Sequence, residues 1–199
     1  MTSGRRILLG LTGLEIPGGI ASVGRTVVRV LDDEIAAGRV ARADRVLLHD
    51  TTVPACPAVG TQWRAHRSQS LFALELWAQR VLRRPDLVLF DLVGLARSLA
   101  LPLPAPASPY AILCHGIELQ RIEAGTSHER ALLGAARLVA NSQHTAAYLR
   151  ERFPQTAARV CAAPLCIDPR LTERWTASAA PAPADARVPD RTAGALRIP

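Results

Sequence analysis

Short apolar runs and helical periodicities take turns along this chain. Ile7–Leu11 is an almost unbroken apolar run, which predicts a buried strand. A turn-rich stretch, Thr12 to Gly19, separates it from a helix. In that helix Ile20, Val23, Val27, Val30 and Leu31 share one face, while Arg25, Arg29, Asp32 and Asp33 share the other. Gly38 ends the helix. Val46–His49 is the second predicted strand, and Asp50 to Gly60, rich in Thr, Pro and Ala, is a loop. Ser68 to Arg84 reads as a second helix with Leu71, Leu74, Trp77, Val81 and Leu82 as its apolar face, stopped by Pro85. Leu87–Phe90 is a strand that ends in Asp91, Val93–Leu101 a short helix, and Pro102–Pro109, with four prolines, a loop. Tyr110–Cys114 is the next strand and ends at His115-Gly116. Thr126–Ala135 is helical, Leu138–Ala140 is a strand, and Ser142–Phe153 is a helix capped by Asn141 or Ser142. Val160–Ala163 closes the series.

Strands and helices alternating in this way predict an α/β fold, a doubly wound, Rossmann-like parallel sheet with helices on both faces. Ligands of such sheets bind at the carboxyl ends of the strands. The pattern stops near Thr176, and Ala177–Pro189 is dominated by Ala, Pro, Asp and Ser. The chain therefore divides into a domain over residues 1–172 and a linker or disordered tail over 173–199.

Composition narrows the chemistry. The formal charge is +7, and all 24 basic residues are arginines. With no lysine, the chain has no Walker A loop, no Schiff-base lysine for pyridoxal phosphate and no Tyr–Lys pair of a short-chain dehydrogenase. The arginines are spread along the chain, which reads as a basic surface and not as a nucleic-acid site. Arg64, Arg67, Arg80, Arg83 and Arg84 surround the second helix. That arrangement suits packing on the sheet, the commoner case, or a peripheral contact with an anionic membrane. Cys56, Cys114, Cys161 and Cys166 form no Cys-x-x-Cys and read as free thiols of a reducing cytosol. Histidines 49, 66, 115, 128 and 144 have no metal-binding spacing, so no metal is expected. The first residues run straight into a strand without a signal peptide, and no apolar run reaches the ~18 residues of a membrane span. The expected location is the cytoplasm, with any membrane contact at its inner face.

Three places carry candidate chemistry. The loop Thr12-Gly-Leu-Glu-Ile-Pro-Gly-Gly-Ile20 offers Gly18 and Gly19 at a helix N-terminus, where free N–H groups suit a phosphate, with Glu15 beside them. A tight strand-to-helix turn explains the same glycines. His115-Gly116, followed by Glu118, places an imidazole just past a strand, where it suits a sugar hydroxyl or proton transfer; a structural capping role is the alternative. Asn141 and Ser142 end a strand and open a helix, which capping alone explains. Asp91 also ends a strand, ready for a sugar, a ribose or a cap.

The order of these pieces resembles the amino-terminal domain of family 4 glycosyltransferases, of the GT-B fold group, over residues 5 to about 170. It rests on Pro17-Gly-Gly-Ile20, Pro85-Asp-Leu-Val-Leu-Phe90, Ile112-Leu-Cys-His-Gly-Ile-Glu118 and Ala136-Arg-Leu-Val-Ala-Asn-Ser-Gln-His-Thr145. Ala163-Pro-Leu-Cys-Ile-Asp168 is similar to the family's Pro-Asn-Gly-Val-Asp segment, with Leu165-Cys166 in place of Asn-Gly. The resemblance implies a retaining transfer of sugar from a nucleotide-diphosphate sugar to a hydroxyl of a carbohydrate or lipid-linked acceptor. That donor is a co-substrate; neither a cofactor nor a metal is implied. Gly18 and Gly19 would approach the donor diphosphate and His115 the transferred sugar or the acceptor. Glu15, Asp91, Gly116, Glu118 and Asn141 would line the acceptor side or the cleft, and Ser142 would support the interdomain cleft. The family's second Rossmann domain, with its Glu-x7-Glu element, has no counterpart here. The expectation is therefore a half that needs a separate C-terminal domain and does not turn over donor alone. Two other readings stand beside it. One is a non-catalytic carbohydrate- or partner-binding module on the same fold. The other is an NAD(P)-binding oxidoreductase, in which Asp50 would hold a ribose and Thr12–Ile20 would loosely echo a dehydrogenase turn.

Overall fold

A computed structural model describes residues 4–51, 59–100 and 103–164. Its strands are β1 (Arg5–Leu11), β2 (Val40–Leu47), β3 (Gln62–Arg64), β4 (Leu87–Phe90), β5 (Tyr110–Cys114), β6 (Arg137–Ala140) and β7 (Val160–Ala162). The helices are α1 (Gly19–Ala36), α2 (Gln69–Arg83), α3 (Val93–Ala96), α4 (Ser127–Gly134) and α5 (Gln143–Arg152). All strands are parallel, in the order β3-β2-β1-β4-β5-β6-β7. The chain winds outward from β1 to β3, returns beside β1 as β4, and winds the other way to β7. This is the doubly wound α/β fold, and its topological switch lies between β1 and β4.

Alternation of side chains along each strand builds two apolar layers. Ile7, Leu9, Leu11, Ala43 and Leu47 pack with Leu31 of α1, joined by Val27, Val28 and Ile35. On the other face Leu8, Val46, Val88, Phe90, Ile112 and Leu138 pack against Phe72 and Leu76 of α2, Leu95 of α3, Leu132 of α4 and Leu149 of α5.

Several elements differ from expectation for physical reasons. β2 begins at Val40, six residues before the expected start. Its polar residues hid it, although Asp44 and Arg45 are both buried. Each has a partner that offsets the cost of burial. Asp44 takes Nε of Arg42 at 2.8 Å and the amide and hydroxyl of Thr61 at 2.8 and 2.6 Å. Burial pushes the Asp44 carboxyl up, but the bonds from Arg42 and Thr61 outweigh it and hold the group below its ordinary range. Arg45 reaches Asp32 of α1 at 2.8 Å. β3 is an edge strand of Gln, Trp and Arg with no apolar run to reveal it. In α1 the buried residues are Ala21, Gly24 and Leu31, and Val30 faces outward. The expected apolar face of α2 is also displaced. Phe72 and Leu76 turn to the core, while Leu71, Leu74 and Leu82 are exposed. The helix expected over 93–101 is α3 followed by a tighter 3₁₀ turn, Arg97–Ala100. The centre of the 50–60 loop, Cys56, Cys166, most of the segment 163–168 and the tail 173–199 lie outside the described residues.

Candidate functional site

Because every strand runs the same way, their carboxyl ends form one rim. Thr12 follows β1, Asp91 follows β4, His115 follows β5 and Asn141 follows β6. The register pairs Gly10 with Phe90, which brings Thr12 and Asp91 together across the switch point. The amide and hydroxyl of Thr12 donate to the Asp91 carboxylate at 2.8 and 3.0 Å. Asp91 is fully buried. Burial pushes its carboxyl up to about 7, against the opposing pull of the Thr12 donors.

From Asp91 the bonding continues along the rim. Nε2 of His115 donates to the main-chain carbonyl of Asp91 at 2.9 Å, since a carbonyl only accepts. The Asn141 amide nitrogen donates to the carbonyl of His115 at 3.2 Å. The Thr145 hydroxyl donates to Oδ1 of Asn141 at 2.9 Å, and the Ser142 hydroxyl donates to Thr145 at 2.9 Å. One series of hydrogen bonds thus links residues after β1, β4, β5 and β6. Gly116 makes the turn after His115 with φ of 103°, where a Cβ would stand 3.3 Å from the Thr145 hydroxyl. Glu118 caps that turn by accepting the His115 amide at 2.7 Å, and its second carboxylate oxygen is buried without a hydrogen-bond partner among the described residues.

The loop between β1 and α1 is tied down from beneath. Asp50, buried just past β2, accepts the amides of Leu14 and Glu15 at 2.7 and 3.1 Å, and Arg25 holds the Leu14 carbonyl at 2.6 Å. The Asp50 carboxylate considered for a ribose therefore holds the loop. Beyond it Glu15, Pro17, Gly18 and Gly19 are exposed. Gly18 is the N-cap of α1, with φ of 140° and no side chain to cap the first turn. A Cβ placed at Gly18 or Gly19 would meet nothing within 4 Å. The first-turn amides of α1 are thus left to an outside acceptor.

The structure sets all the expected residues on one rim: Glu15, Gly18 and Gly19 on the β1 side, Asp91, His115, Gly116 and Glu118 at the centre, Asn141 and Ser142 on the β6 side. Ser142 is the cap of α5, accepting the Thr145 amide at 3.0 Å. Sequence reading named Thr12 and Thr145 only as parts of their segments, and it missed the loop-holding role of Asp50. For Asp50 the available signal was the one used for Asp91, an acid just after a strand.

Beside the switch point lies a groove of about 520 Å³, between the start of α2 and the 3₁₀ turn after α3. Thr12, His49 and Arg97 are among its polar positions, and Phe72, Leu74 and Leu92 among its apolar ones. Burial, reinforced by the charge of Glu118, pushes the Cys114 thiol far up, so it is no nucleophile at neutral pH. Among the described residues no three His, Cys, Asp or Glu side chains converge as metal ligands, and no helix is long and apolar enough to cross a membrane.

Comparison with protein-family profiles and with curated protein sequences finds no match. Among solved structures the chain is similar to an α-glucosyltransferase determined in complex with UDP and a 13-mer DNA containing a HMU base. The likeness has 14% identity and a TM-score of 0.46, and covers 80% of this chain. The chain spans 42% of that enzyme's chain.

Proposed function

We propose that this chain is the acceptor-side, amino-terminal half of a retaining GT-B glycosyltransferase of the family 4 type. With a donor-binding half it transfers sugar from a nucleotide-diphosphate sugar to a hydroxyl of a carbohydrate or lipid-linked acceptor. The observation that carries the reading is the pairing of two features on one rim: the uncapped, glycine-built N-terminus of α1, and the turn, braced by Glu118, that presents His115. A diphosphate asks for unsatisfied N–H donors and a positive helix end. A sugar hydroxyl asks for an acceptor at a fixed position, which the free ring nitrogen of His115 offers. The groove beside Thr12 is the acceptor's place in this reading. The four motif segments in family order support it as well.

Calorimetric titration of the purified chain with UDP, GDP and NADH tests the proposal. Weak binding of UDP or GDP is expected, with Gly19→Glu weakening it roughly tenfold by setting a negative charge at the helix end. No sugar transfer by the chain alone is expected. NADH binding would move the assignment to an oxidoreductase, silence toward every nucleotide would leave a binding module, and transfer by the isolated chain would refute the half-enzyme reading.

A further inference from the structure

α2 is apolar on two opposite sides. Phe72 and Leu76 enter the core. On the far side Leu71, Leu74 and Leu82 are 51, 49 and 73% exposed, and Ala78 lies between them at helical spacing. The eleven helical steps from Leu71 to Leu82 make a stripe about 16 Å long at the α-helical rise. Large aliphatic side chains arranged in a row on an outer helix face call for an occupant.

The charges around the stripe say which kind. Residues 64–84 hold five arginines and one glutamate, a surplus of four positive charges. Glu75, the single acid, takes a hydrogen bond from Gln79 at 2.8 Å. Arg67 before the helix and Arg83 and Arg84 at its end are exposed, and no carboxylate pairs with them among the described residues. A second copy packed on the stripe by two-fold symmetry would bring these arginines toward their own counterparts. A negatively charged surface with an apolar interior satisfies both features together.

We propose that the outer face of α2 seats the protein on an anionic lipid bilayer, with Leu71, Leu74 and Leu82 entering the acyl boundary and Arg67, Arg83 and Arg84 meeting the headgroups. Leu74 belongs to the stripe and also to the wall of the groove beside Thr12. Docking therefore brings that groove to the membrane surface. The seating itself does not depend on the sugar-transfer reading.

Sedimentation of the full chain with vesicles tests it. Binding is expected to equimolar phosphatidylglycerol and phosphatidylcholine, and not to phosphatidylcholine alone. The combined variant Leu71→Gln, Leu74→Gln, Leu82→Gln should lose at least tenfold in partitioning, and so should Arg67→Gln, Arg83→Gln, Arg84→Gln. Circular dichroism checks that each variant folds. Should the leucine triple misfold, Leu82→Gln alone, at the most exposed position, replaces it and must still weaken binding measurably. Wild-type chain that ignores anionic vesicles would overturn the proposal. So would leucine variants that bind as wild type, and so would self-association in lipid-free buffer that the leucine variant abolishes.

Discussion

α1 and α5 both leave the carboxyl rim of the sheet, but their first turns are finished in different ways. At α5 the Ser142 hydroxyl accepts the Thr145 amide and donates to the Thr145 side chain, which in turn donates to Asn141. The polar atoms there are spent on one another and on the neighbouring strand end. At α1 the cap is Gly18, which has no side chain to spend. The fold has instead placed two buried carboxylates, Asp50 and Asp91, under the loop that leads to it. Rigidity at α1 comes from below and leaves its outward amides available, whereas rigidity at α5 comes from its own cap. A helix end that is stiff without being satisfied is suited to binding an anion.

The largest expected effect concerns the carboxylate that joins the two halves of the rim. Asp91 is raised in the folded state, to about 7, so the fold holds its proton over a range in which the unfolded chain has released it. Stability from this group is present below the ordinary aspartate range and is lost as pH rises through 7. The whole loss is at most about 4 kcal/mol. Urea denaturation between pH 5 and 9 should show wild-type stability falling relative to Asp91→Asn, whose amide does not titrate. Parallel curves would show that the carboxyl is not raised.

Next in size is Asp50→Ala, which strands the amides of Leu14 and Glu15. Two lost acceptor contacts predict a destabilisation of about 2–4 kcal/mol. A value below about 0.5 kcal/mol, that of an ordinary surface change, would mean that the loop does not depend on its strap. Ser142→Ala should cost about 1 kcal/mol, the usual worth of a cap, and the same denaturation measurement reads it. A neutral result would remove the contrast between the two helix ends. The smallest effect belongs to Gly19→Ala. Its Cβ enters open space, so stability should stay within about 0.5 kcal/mol of wild type. A larger loss would mean that the α1 tip is packed, and not open.

The parallel sheet was legible because Ile7–Leu11 is buried throughout, while Leu87–Phe90, Tyr110–Cys114 and Leu138–Ala140 are apolar on both faces with buried and half-buried positions, and so all read as short apolar runs. β2 was legible only in its last two residues, Val46 and Leu47, since Arg42, Asp44 and Arg45 look like surface until their partners are known. The face of α2 was misjudged because the helix is apolar on both sides, and periodicity alone does not say which side meets the sheet. On the rim, the strand ends read from the sequence put Asp91, His115 and Asn141 just past β4, β5 and β6. Their bonds to one another depend on register, and register is set by pairings between residues far apart in sequence.

The bond from His115 to the Asp91 carbonyl has one more consequence. It commits the ring's hydrogen to Nε2, so the neutral imidazole keeps only a lone pair at Nδ1, which has no partner among the described residues. A visitor arriving at that nitrogen must bring its own hydrogen. A sugar hydroxyl does so, while a fully ionised phosphate oxygen does not. Under the function proposed above, the ring would favour an alcohol over a diphosphate, and the two parts of a sugar donor would sort themselves along the rim, phosphate toward α1 and hydroxyl toward His115.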